Sequence, residues 1–231
     1  MSSFTVDAIL FDMDGTLIDS TPGVLKAWKL FAADYDLDAV QVAHEAHGRR
    51  LYDTLREFCH LHEEEKLQSE IVRFEQAVID GGPVVLPGAL TLLEQIGAGS
   101  PESGAGWTIV TSATSLYTRR ALPQCGVPLP PMGLVTSDDV ASGKPHPAPY
   151  LAGARRLGAD PTRCLVIEDA PSGLLSGRAA GCKTIAVCTS HTKEKILQSG
   201  AAPDFIVKDL TSITARWIGE VLEVSVSPHD G

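Results

Sequence analysis

Ala8-Ile9-Leu10-Phe11-Asp12-Met13-Asp14-Gly15-Thr16-Leu17 sets a short apolar run directly before two carboxylates and a glycine. A continuous apolar run of this kind reads as a strand buried on both faces, as in parallel sheets. Similar runs follow at Thr108-Ile109-Val110-Thr111, Leu134-Val135, Leu165-Val166-Ile167, Thr184-Ile185-Ala186-Val187 and Phe205-Ile206-Val207. Helix-like stretches alternate with them: Leu116 to Leu122, Pro149 to Leu157, Ser172 to Ala180 and Lys193 to Ser199. Alternating strands and helices predict an α/β chain on a doubly wound parallel sheet.

Met13 to Trp107 breaks the rhythm, being far longer than a parallel crossover requires. From Pro22 to Ile79 the periodicity is mostly helical, with apolar Val24, Leu25, Trp28 and Phe31, then Leu51, Leu55 and Phe58. Gly81-Gly82-Pro83 and Pro87-Gly88 punctuate the return. Residues 1–19 and 87–231 are therefore expected to form the core, with a small helical cap inserted at 20–86. Trp28 and Phe31 share one helical face and are expected to pack inside that cap. Gly97 to Gly106, rich in Gly and Ser, reads as a flexible surface loop.

A 231-residue chain with 44% hydrophobic residues can bury a sizeable core. No apolar run approaches the roughly 20 residues of a membrane span, and the first residues lack the pattern of a secretory signal. Five cysteines (Cys59, Cys125, Cys164, Cys182, Cys188) form no CxxC pair, which suits a reducing compartment and gives no support to a structural zinc site. Cytoplasm is the expected location, in a monomer or weak dimer. A net charge of −10 opposes nucleic acid and anionic membranes. A small phosphorylated metabolite remains possible where a metal or local cations overcome that field.

Asp12 and Asp14 fall outside the carboxyl end of the first strand, where ligands of doubly wound sheets bind. Two carboxylates so close repel unless a cation intervenes, and a hard metal such as magnesium would relieve that repulsion and also bind phosphate. A calcium loop does not fit, because Thr16 and Gly23 stand where it needs acidic or amide ligands. Three later strand ends add matching chemistry. Ser112 offers a hydroxyl to phosphate oxygens, Lys144 a compact positive charge, and Glu168-Asp169 further oxygen ligands for the metal. Each could separately be a turn hydroxyl, a solvated lysine or a helix cap; together, and in this order, they make a phosphate site. In the cap, His47 and Arg50 are candidates for substrate contact, since Gly48 lets the backbone approach closely. His47 could equally be a satisfied interfacial histidine, and Arg50 could pair with Asp53 at helical spacing. His60-Leu61-His62-Glu63-Glu64-Glu65 reads as a solvated face.

Asp12-x-Asp14-Gly15-Thr16, Ser112, Lys144 and Glu168-Asp169 resemble the motifs of the haloacid dehalogenase superfamily. Ser142-Gly143-Lys144-Pro145-His146-Pro147, Val166-Ile167-Glu168-Asp169-Ala170-Pro171 and His47-Gly48-x-Arg50-x-Tyr52-Asp53 look most like its fungal glycerol-phosphate and 2-deoxyglucose-6-phosphate phosphatases. The resemblance implies that Asp12 forms an aspartyl phosphate and that Asp14 serves as acid and then base. It further implies Mg2+ on Asp12, the Asp14 main-chain carbonyl and Asp169, with Glu168 supporting that shell, and phosphate on Ser112 and Lys144. Asp14 argues against dehalogenation. A sugar phosphomutase shares every one of these motifs and stays open, as does a non-enzymatic binding protein on the same scaffold.

Overall fold

A computed structural model describes residues 2–99 and 106–227. Its strands are β1 (Ser2–Val6), β2 (Ala8–Phe11), β3 (Ile18–Asp19), β4 (Val84–Val85), β5 (Trp107–Ile109), β6 (Cys164–Glu168), β7 (Lys183–Val187), β8 (Phe205–Val207), β9 (Ile213–Ile218) and β10 (Val221–Val226). Four helices lie between β3 and β4: α1 (Thr21–Tyr35), α2 (Ala39–Glu45), α3 (Leu51–Phe58) and α4 (Glu64–Asp80). The others are α5 (Ala89–Gly97), α6 (Ser115–Gln124), α7 (Ala148–Arg156), α8 (Pro171–Ala179) and α9 (Lys193–Gln198).

The central sheet is five-stranded, in the order β5-β2-β6-β7-β8, and all its pairings are parallel. Every residue of β2 and of β6 is buried, as strands flanked by neighbours and covered on both faces must be. This is the α/β architecture read from the apolar runs. One run behaves differently. Leu134-Val135 forms no strand; Val135 makes only an isolated parallel bridge to Val110 at the sheet margin. The expected loop at Gly97 to Gly106 falls largely on residues outside those described.

In the inserted helices, Trp28 and Phe31 of α1 meet Phe74 of α4 edge to face, with centroids 4.8 and 5.3 Å apart. All three rings are buried. Asp38 caps α2 by accepting from Val40 and Gln41 N–H, which satisfies donors that the first turn leaves free. β3 and β4 pair antiparallel, Ile18 with Val85 and Asp19 with Val84, so the two crossings between sheet and helical insertion run side by side.

A second sheet lies outside the reading from apolar runs. β1, β10 and β9 form a three-stranded antiparallel sheet in that order. Alternation was present, since Leu222, Val224 and Val226 are buried while the residues between them are only partly covered. A search for continuous apolar runs passes over such a half-solvated strand.

Candidate active site

Asp12 leaves β2 where the chain order across the sheet reverses, with β5 on one side and β6 on the other, the switch point at which open α/β sheets hold ligands. Asp12 N–H donates to the Ile167 carbonyl at 3.0 Å, which fixes the backbone as it exits. The next turn is tight: the Met13 carbonyl accepts from Leu17 N–H at 2.8 Å and from Ile18 N–H at 3.1 Å. Gly15 sits at φ +90°, and a Cβ there would lie 2.0 Å from Asp169 Oδ2. Only glycine satisfies both demands.

Lys144 anchors the deepest layer. Its buried Nζ donates to Asp12 Oδ1 at 2.6 Å, Glu168 Oε1 at 2.7 Å and the Val110 carbonyl at 3.0 Å. All three ammonium donors are thus spent on partners from three strand ends. Glu168 Oε1 also accepts from Tyr150 OH at 3.0 Å, and its Oε2 from Ala170 N–H at 2.9 Å. Burial pushes the Asp12 carboxyl well above its ordinary range, with Glu168 and Asp169 adding to the rise and Lys144 opposing it. Burial disfavours the Lys144 cation, but Asp12 and Glu168 outweigh it and hold the ammonium above its ordinary range.

Asp14 Oδ1 accepts from Tyr117 OH at 2.7 Å. Burial raises the Asp14 pKa, while hydrogen bonds with Ser20 and Tyr117 limit the rise. Asp169 is held the other way. Burial would raise it, yet His47 and further donors keep it below the usual carboxylate range. His47 Nε2 lies 2.8 Å from Asp169 Oδ2. Burial disfavours its charged ring, but the Asp169 carboxylate prevails and raises His47 to about 9.

Asp12 and Asp14 open into a cavity of about 170 Å³ whose far wall is the helical insertion. Ser112, His47 and Gly48 line it as well. Ser112 Oγ donates to the Gly48 carbonyl at 2.9 Å, joining core and insertion at the rim. The remainder of the lining is mainly apolar, including Val24, Leu25, Trp28, Leu51 and Val78, with Glu75 and Arg49 among the exceptions.

The structure therefore gathers Asp12, Asp14, Lys144, Glu168, Asp169, Ser112 and His47 around one place. Arg50 stands apart: it does not line this cavity. Its Nε and Nη2 donate to Asp53 at 2.9 Å each and its Nη1 to the Val140 carbonyl at 3.2 Å. The pairing with Asp53 is the alternative that helical spacing left open. Sequence reasoning missed Glu75, Tyr117 and Tyr150. Glu75 had a signal, because it follows Ile71 by four residues on a face with Leu67, Phe74 and Val78, where a carboxylate is out of place. Tyr117 and Tyr150 gave none, since each lies on a helix that only the fold brings to the strand ends.

The acidic residues at the strand ends fit a divalent cation. One carboxylate oxygen each from Asp12, Glu168 and Asp169 lie within 4.8 Å of one another, all buried. A hard, all-oxygen donor set suits a divalent cation such as magnesium.

A family model for haloacid dehalogenase-like hydrolases matches residues 6–181. The chain is similar to hexitol phosphatase A of Escherichia coli (strain K12), with 41% identity over 180 residues that make up 77% of this chain and 81% of that one. It is also similar to glycerol-1-phosphate phosphohydrolase 2 of Saccharomyces cerevisiae, with 36% identity over 224 residues, 91% of this chain and 85% of that one. Among solved structures it resembles a hydrolase from Pseudomonas syringae, with a TM-score of 0.72 and 27% identity across 88% of this chain and 93% of that one. With a match that runs from the last residue of β1 beyond α8, and so takes in every acidic residue at the switch point, this chain belongs to the haloacid dehalogenase-like hydrolases.

Proposed function

We propose that this chain is a magnesium-dependent phosphatase that hydrolyses the monophosphate of a small sugar or polyol through an aspartyl phosphate on Asp12. The observation that carries it is the Asp12 carboxylate, held 2.6 Å from Lys144 and opening into the same cavity as Asp14. Asp12 and Asp169, with the Asp14 main-chain carbonyl, would hold magnesium, backed by Glu168; the ion supplies neutralisation of phosphoryl charge.

In the first step an Asp12 oxygen bonds to phosphorus while the bond from phosphorus to the alkoxide oxygen breaks. Asp14, whose raised pKa favours the proton-bearing form, gives its proton to the departing alkoxide. In the second step the Asp14 carboxylate takes a proton from water as that water attacks phosphorus, and the Asp12–phosphorus bond breaks. Lys144 offsets charge on Asp12 and the phosphoryl oxygens, and Ser112 orients those oxygens. Residues 20–86 act as the cap that excludes bulk water and shapes the substrate end of the cavity. The names of the two relatives, a hexitol phosphatase and a glycerol-1-phosphate phosphohydrolase, support the phosphatase reading over the mutase. Five free thiols among the described residues support a reducing compartment, the cytoplasm.

A panel of polyol and sugar phosphates with magnesium tests the reading, with release of inorganic phosphate as the measurement. Chelation with EDTA is expected to remove turnover and added magnesium to restore it. An isomerised sugar phosphate without free phosphate would overturn it.

Tyr117 positions Asp14 and should influence the rate more than affinity. Tyr117→Phe is expected to lower kcat about tenfold, the worth of one hydrogen bond, with little change in KM. Steady-state kinetics on the best panel substrate measure the split; a KM effect alone would place Tyr117 in the binding wall instead.

A further inference from the structure

Glu75 is a carboxylate on α4 in the wall of the cavity that Asp12 opens into. It is 7% exposed, and no cation among the described residues pairs with it. Its oxygens accept from the backbone N–H and the hydroxyl of Thr114, the N-cap residue of α6. Each carboxylate oxygen has more than one acceptor position, so both keep capacity toward the cavity. The cations of the cavity wall are engaged elsewhere. His47 is held by Asp169 and Arg49 by Glu57. Leu51, Val78 and Trp28 of the same lining are apolar.

From this arrangement we infer that Glu75 is a specificity-determining residue: it accepts hydrogen bonds from hydroxyls of the substrate's far end and repels substrates carrying a second anionic group there. The inference rests on the phosphatase reading and deepens it, by naming the substrate class as a monophosphate whose remaining chain is uncharged and hydroxylated. A carboxylate or second phosphate would face a negative charge across a small, apolar-walled space, where screening is weak. Exclusion by an unfavourable charge is a common way of separating otherwise similar ligands. The same property disfavours a phosphomutase cycle, which must hold a sugar bearing two phosphates.

Two matched pairs make the test. Glycerol 1-phosphate and 3-phosphoglycerate differ in a terminal hydroxymethyl against a carboxylate; sorbitol 6-phosphate and 6-phosphogluconate differ in the same way. Assays run at pH 8 with magnesium, above the value of about 7 to which burial raises Glu75, and Asp12→Asn protein serves as the blank. Wild type is expected to favour the hydroxylated member of at least one pair by roughly a hundredfold in kcat/KM. Glu75→Gln should close that ratio about tenfold through a gain on the carboxylate member, while Glu75→Asp should keep it. A ratio unchanged in Glu75→Gln, with both members slowed alike, would make Glu75 only a latch on Thr114 and overturn the inference. Failure of wild type to hydrolyse any of the four compounds would instead overturn the phosphatase reading beneath it.

Discussion

Asp12→Asn is expected to abolish phosphate release, lowering kcat roughly 10⁴–10⁶-fold, while the protein folds as before. The amide cannot form the bond to phosphorus, and losses of this order follow removal of a nucleophile that acts as part of a unit. The fold should tolerate the change because asparagine keeps the shape of the side chain and an oxygen that can accept from Lys144, while Glu168, 2.7 Å from the ammonium, remains its counter-ion. The check has two arms. Acid-quenched wild type mixed with substrate should show a phosphorylated peptide containing Asp12 by mass spectrometry, and the variant none. Circular dichroism and thermal melting should meanwhile agree between the two to within a few degrees. A phosphorylated peptide covering the same position in the Asp12→Asn protein would refute the assigned nucleophile.

Lys144→Met is expected to damage both activity and stability. The ammonium is the shared partner of Asp12 and Glu168, at 2.6 and 2.7 Å, with its side chain fully buried. Removing it leaves two carboxylates facing each other out of water. Breaking a buried pair on one side costs about 3–5 kcal/mol, and for a chain of this size that lowers Tm by roughly 10 °C. Adding Glu168→Gln to Lys144→Met removes one of the stranded charges and should recover part of the loss, giving a non-additive double-mutant cycle. Additive losses in urea denaturation would show that Lys144 and Glu168 do not act as a unit.

Much of this site was legible because its residues fall at ends of strands. The apolar run ending at Phe11 located Asp12 and Asp14, and the run ending at Ile167 located Glu168 and Asp169, since a doubly wound sheet directs all such ends to one edge. Lys144 was equally visible as a lysine just after a strand-like segment, although that segment proved to be a single bridge at Val135. Glu75 lies far from this logic: it reaches the cavity from an inserted helix, and its partner Thr114 is distant in sequence. Spacing within one element cannot reveal a contact made between two. Arg50 illustrates the reverse, because local spacing to Asp53 described its main partner better than any inference about a cavity.

β1 pairs with β10 along its whole length, from Ser2 with Val226 to Val6 with Leu222. β1 feeds after one residue into the strand that delivers Asp12. During vectorial synthesis, then, the lead-in to the nucleophile waits unpaired until Val221–Val226 have left the ribosome. Competence for turnover should arise abruptly rather than growing with chain length, because the strand leading into β2 is secured only once β10 has been made.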